Sequence, residues 1–166
     1  MLEYPLFLVF PVAMAFAGAM DLFTMTIPNR VSAALVAGFL VAAPLAGLSL
    51  QDFAMHIGAC LIVLSVGIGM FAAGWMGGGD AKLMAAASLW VGFDDLVLYL
   101  TQVSILGGAL ALAILAYRQM PAAALPMPGW ALRLHEEGTG IPYGLAIAGA
   151  GLMIYPKTPW FAAFGF

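Results

Sequence analysis

Charge is what this sequence is short of. Only 8% of its 166 residues are Asp, Glu, Lys or Arg, while 64% are hydrophobic and mean hydropathy is +1.06. Soluble domains carry roughly 25% charged residues, so a water-soluble globule is excluded and lipid must be the solvent. Cysteine is scarcer still, with Cys60 the only one. A lone cysteine excludes an intrachain disulfide and a cysteine-ligated zinc site, and its apolar neighbours make it a small buried side chain. Eight acidic and five basic residues leave a net charge of −3 spread over several loops. That balance says little, and no nucleic-acid partner is expected.

What is abundant is apolar sequence. Residues 4–20, 31–51, 53–79, 96–117 and 138–156 contain no Asp, Glu, Lys or Arg. A helix needs about 20 such residues to cross a hydrocarbon core of about 30 Å, so each run can span. The run 83–93 is shorter. Begun at Asp80 it makes a helix of about 20 Å, long enough where the bilayer thins. The expected fold is therefore all-α and polytopic: one transmembrane domain over 1–166, with about six spans. Helices are expected near 4–22, 31–48, 54–75, 81–92, 96–117 and 142–160, the fourth short. Gly18, Gly38, Gly67, Gly69, Gly107 and Gly108 suit close helix contacts.

The first apolar run has no Lys or Arg before it and is long for a signal-peptide core, so it reads as a retained helix. With the N-terminus outside and six crossings, Arg30, Lys82, Arg118 and Arg133 fall inside and only Lys157 outside. That is the positive-inside bias. A re-entrant fourth segment would reduce the split to three against two. The long polar connection 118–140 then lies on the inner side, as a flexible lid or a linker. Trp75, Trp90, Trp130 and Trp160 fall mostly near expected interfaces and read as an aromatic belt.

Most acids are expected in loops, where a carboxylate is simply solvated: Asp52, Asp94 and Asp95. Asp21 and Asp80 differ. Each closes a long uncharged run, and both fall at the inner ends of their helices although 59 positions apart. An acid there can mark the membrane boundary, and Asp80 can cap its helix. However, positive-inside topology calls for bases at that face, and acids within membranes are functional candidates by default.

Gly77, Gly78 and Gly79 stand directly before Asp80. Each glycine costs a helix about 1 kcal/mol relative to alanine, so this stretch is not expected to be helical. It offers backbone groups without side-chain bulk, against which an extended peptide can lie. A phosphate-binding loop is excluded, because the G-x-x-x-x-G-K-[ST] spacing and the preceding strand are missing. Two carboxylates at close range share a proton, since both cannot ionise. The ionised member can take a proton from water while the other polarises a scissile carbonyl. No metal or cofactor is required. A rival reading is a small proton- or cation-coupled transporter using the same acids, but transport favours acids near the midplane. A third is a non-catalytic assembly factor.

Asp21 followed by Ile27-Pro28-Asn29, then Gly77-Gly78-Gly79-Asp80-Ala81-Lys82, resembles the type IV prepilin peptidases, intramembrane aspartyl proteases of the GxGD class. Ile141-Pro142-Tyr143-Gly144 resembles a motif at the start of that family's last helix. The resemblance spans most of the chain, residues 15–150. It implies cleavage of the short basic leader from pilin-like precursors at the cytoplasmic face of the bacterial inner membrane, with Asp21 and Asp80 catalytic. The chain is similar to the short form that serves Flp (tight-adherence) pili. It lacks the cysteine-rich insertion of longer members that also methylate the new N-terminus, so the resemblance gives no support for methyl transfer. It departs from the family at Phe23, Thr24, Met25 and Thr26, where basic residues are common, and at Leu145, where proline is common.

The neighbours have plainer expectations. Lys82 can meet substrate or tune the acids, and as an interface anchor it would snorkel to headgroups. Asn29 is expected to cap helix 2, and Pro28 to stop helix 1. His56, near the outer end of helix 3, is expected to be structural. His135, Glu136 and Glu137 can face a basic leader, with ordinary solvation the plainer reading.

Overall fold

The computed structural model describes residues 3–120, 128–136 and 138–160, and those residues contain helices and no strand. In chain order they are α1 (Glu3–Thr24), α2 (Asn29–Leu45), α3 (Leu50–Ala72), α4 (Gly78–Arg118), α5 (Gly129–His135) and α6 (Tyr143–Ile154), then a 3-10 turn, Tyr155–Lys157. Leu6–Thr24, α3 and α4 are long and apolar enough to cross a membrane, with mean hydropathies of 2.0, 2.1 and 1.9. The 17-residue α2 is the shorter apolar companion. Their outward faces carry Leu8, Val12, Phe16, Leu61, Ile62, Val66 and Leu112, all exposed. Water would penalise such a surface and hydrocarbon does not. The protein is an all-α membrane protein.

The expected fourth and fifth helices are one element, α4, broken at a single residue. Gly92 has φ 74° and ψ −179°, while the residues around it are helical. The first limb begins against the end of α1, where a Cβ on Gly79 would stand 3.3 Å from Cβ of Ile27. The second limb ends at Arg118, which hydrogen-bonds Thr139. Gly140, the next residue, packs on Met25, its notional Cβ 3.6 Å from the Met25 Cε. Both ends of α4 thus lie at one end of the bundle, so Gly92 is a reversal at the other. Only glycine fits: φ is positive, and a Cβ would meet the His56 ring at 2.8 Å. A helix leaves its last four carbonyls without intrahelical partners. Here His56 Nδ1–H donates to Leu89 O at 2.7 Å, and Trp160 Nε1–H to Trp90 O at 2.6 Å.

Those side chains belong to an aromatic core. Trp90 stacks near Trp160 with centroids 5.1 Å apart, and Phe10 on Tyr155 at 4.8 Å. Phe39 reaches the Trp160 and His56 rings at 5.5 Å each. Trp90 and Trp160 are therefore interior, contrary to the belt expectation, because each indole N–H finds a carbonyl there. Trp75, by contrast, is 78% exposed. His56 is structural, as expected.

Several boundaries differ from expectation for local reasons. Ser49 caps α3, accepting from Asp52 N–H and donating to Asp52 Oδ2, so Asp52 is a first-turn capping partner rather than a loop acid. Asp94 and Asp95 lie in the second limb of α4, since the reversal needs no loop. Connection 118–140 contains α5, which is tied to the end of α4: Tyr117 Oη–H donates to Ala131 O, and His135 Nε2–H to Met120 O. Glu136 is the C-cap of α5, and Glu137 lies outside the described residues. Residues 158–160, expected in helix 6, follow the 3-10 turn instead. Cys60 is half-buried rather than buried. Gly18, Gly38, Gly67 and Gly107 sit at close helix contacts, whereas Gly69 and Gly108 face open space.

Candidate active site

α1 ends one turn beyond Asp21. Met25 adopts φ 56°, the left-handed conformation that terminates helices, and its N–H bonds Asp21 O at 2.8 Å. Pro28 follows in extended conformation as the N-cap of α2. Helix 1 therefore stops four residues before Pro28. The Asp21 side chain is 6% exposed. Its Oδ2 accepts the backbone N–H of Gly144 at 2.7 Å. Gly144 is the second residue of α6, whose first-turn N–H groups have no partner within the helix. Asp21 thus closes the positive end of α6 from another helix.

Asp80 is the third residue of α4. Gly77 is the N-cap, extended at φ −68° and ψ 142°, while Gly78 and Gly79 are already helical, contrary to expectation. The first turn tolerates them because its N–H groups lack intrahelical bonds in any case. The Asp80 carboxylate accepts the Gly77 N–H, the return half of a capping box. Its Oδ1 is buried with no hydrogen-bond partner among the described residues. Asp80 thus caps its helix and still keeps one carboxylate oxygen without a partner among the described residues.

Both acids line one cleft of about 290 Å³. Asp21, Met25, Thr26 and Ile27 form one wall, and Gly77, Gly78, Gly79 and Asp80 the other. The two carboxylates are close enough to repel one another. The glycine wall is tightly built: a Cβ on Gly77 would stand 2.9 Å from Asp80 Oδ2. A pocket with two facing carboxylates, one oxygen free and a wall without side chains can hold an extended backbone and a water. The acids stand near helix ends rather than at mid-helix, which disfavours a transport path. Among the described residues no group of three or more His, Cys, Asp or Glu side chains gathers as a metal site would require.

Lys82 is not among the cleft-lining residues. Its Nζ donates to Asn29 Oδ1 at 3.0 Å, tying the start of α4 to the start of α2. Asn29 is thereby occupied, and it makes no cap because Pro28 holds that position. Gly144 was not singled out from the sequence as a site residue. Its contribution is a backbone N–H, which no residue type advertises, and its partner lies 123 positions away. The available signal was the helix start at Pro142-Tyr143-Gly144.

The model of the type IV leader peptidase family matches residues 8–112, a span holding the whole cleft but not α5 or α6. No curated protein and no solved structure matches the chain.

Proposed function

The chain belongs to the type IV leader peptidase family, and we propose that it cleaves peptide bonds with the pair Asp21 and Asp80. Its substrates are pilin-like precursors, on this reading those of Flp-type pili. The cut removes the short basic leader at the cytoplasmic face of the inner membrane, with the N-terminus of the enzyme outside. The observation that carries the proposal is the shared cleft, in which Asp21 from α1 lies across from three glycines and Asp80 of α4.

In the reaction the ionised carboxylate takes a proton from the bound water as its oxygen attacks the scissile carbonyl carbon. The protonated partner donates to the carbonyl oxygen. Collapse of the tetrahedral intermediate breaks the C–N bond, and a carboxyl proton passes to the leaving amine. The Asp80 Oδ1, buried and without a protein partner among the described residues, is the oxygen left unsatisfied until substrate and water enter beside it. Gly77, Gly78 and Gly79 supply the edge along which the peptide extends, since a helical peptide bond is shielded from attack. Lys82, through Asn29, holds that edge against α2. The chemistry needs neither metal nor cofactor.

The test is co-expression with a Flp-type precursor and mass analysis of the mature N-terminus. Asp21→Asn and Asp80→Asn are each expected to abolish cleavage while remaining folded in the membrane. Normal processing by either variant would remove the pair from the mechanism.

A further inference from the structure

The second limb of α4 ends in a guanidinium that grips the approach to α6. Arg118 Nε–H donates to Leu134 O at 2.9 Å and Nη2–H to Thr139 O at 2.6 Å, with Gly140 O at 3.5 Å. One side chain therefore holds the last turn of α5 and the segment leading into α6 together. Only a planar fork with several fixed donors reaches both at once; an ammonium is a single point. Charge-assisted bonds of this kind are the stronger ones.

The held segment is short. Four residues beyond Gly140 stands Gly144, whose N–H docks on Asp21 Oδ2. Gly144 itself is boxed in. A Cβ there would lie 2.7 Å from Ile27 Cδ1, 2.8 Å from Asp21 Oδ2 and 2.9 Å from Asp21 Cβ. The same limb of α4 supports this helix start a second time, because a Cβ on Gly107 would meet the Tyr143 ring at 3.1 Å. Gly140 also packs on Met25, a wall of the cleft.

We infer that Arg118 is a positioning residue for the reaction. It fixes segment 139–144 so that the Gly144 N–H holds the Asp21 carboxylate in its reactive orientation. The inference rests on the aspartate pair being catalytic. Nothing in it asks Arg118 to touch substrate. Its effect travels through the backbone into one hydrogen bond.

Kinetics of precursor cleavage by the purified enzyme in phospholipid vesicles test it, with Arg118→Lys, Arg118→Gln, Tyr117→Phe and Asp21→Asn compared. Tyr117→Phe removes the hydroxyl bond to Ala131 O in α5 and is expected to keep wild-type turnover. Arg118→Lys keeps the charge and loses the fork. An ångström-scale misplacement of a reacting group costs on the order of 100-fold, so kcat is expected to fall about 10- to 100-fold for both Arg118 variants. KM is expected to stay within about threefold, since no substrate contact is removed. If Arg118→Gln fails to fold, as judged by circular dichroism, Arg118→Lys decides. Full turnover by Arg118→Lys, or a loss confined to KM, overturns the inference. Full turnover by Asp21→Asn overturns both it and the reading beneath it. An inactive Asp21→Asn beside a fully active Arg118→Lys overturns the positioning role alone.

Discussion

Gly144 and Asp21, 123 positions apart, meet through one backbone hydrogen bond of 2.7 Å, and the space between them admits no methyl group. A Cβ on residue 144 would lie within 2.9 Å of two Asp21 atoms and of Ile27 Cδ1. The Ile27 methyl can turn aside, but Asp21 Cβ is the root of its side chain and cannot move without the carboxylate. Gly144→Ala is therefore expected to push Asp21 from its place and lower cleavage on the order of 100-fold. Helix content by circular dichroism should stay at the wild-type level. Wild-type processing would mean that the cleft tolerates a displaced Asp21.

The glycine wall gives a graded expectation. At Gly79 a Cβ would stand 3.3 Å from Ile27 Cβ, close but short of a hard clash. Gly79→Ala should retain part of the activity and Gly79→Val lose nearly all, because the branched side chain would fill the strip proposed for the peptide. Gly108→Ala, in open space within α4, should leave cleavage intact and raise stability by about 1 kcal/mol or less. Equal activity for Gly79→Val and wild type would assign the three glycines to packing alone.

Lys82 and Asn29 make a pair that a double-mutant cycle can read. If Lys82 acts by holding Asn29, then Lys82→Met, Asn29→Ala and the double variant should lose cleavage to the same extent. An exposed bond of this kind contributes about 0.5–1.5 kcal/mol, which sets each loss at several-fold. Additive losses, or a rise in KM in Lys82→Met only, would instead put Lys82 on the substrate.

At the far end of the bundle, stability and activity should separate. Gly92→Ala forces a side chain into positive φ and onto the His56 ring. His56→Ala leaves the Leu89 carbonyl without its imidazole donor. Each is expected to destabilise the fold by about 1–3 kcal/mol. Turnover of the folded fraction should be unchanged, because the cleft lies at the opposite end. A thermal melt followed by a cleavage assay on the same sample checks this.

The acids of the cleft were legible because a charge inside an apolar run stands out in any reading of composition. The apolar helices were legible for the same reason. What the letters hid was backbone. The reversal at Gly92 depends on one dihedral angle, and glycines of helix contacts look the same in sequence. Ser49 and Asp52, three apart, do spell a capping pair, so the start of α3 could have been read and was not. Trp90 and Trp160 were misread because an indole near a helix end suits an interface and a core equally until its N–H partner is known. The α5 turn was hidden in a stretch rich in proline, and its anchors are carbonyl oxygens, which every residue has.

The reversal at Gly92 bears on how the chain enters the bilayer. From Gly78 to Val91 the first limb of α4 spans about 20 Å at 1.5 Å per residue, short of a hydrocarbon thickness of about 30 Å. Alone it is a poor insertion signal, and no loop separates it from the limb that follows. The two limbs are expected to enter together as a hairpin, the longer carrying the shorter. Asp80 is then expected to settle in place only after the apolar stretch following Gly92 has been synthesised.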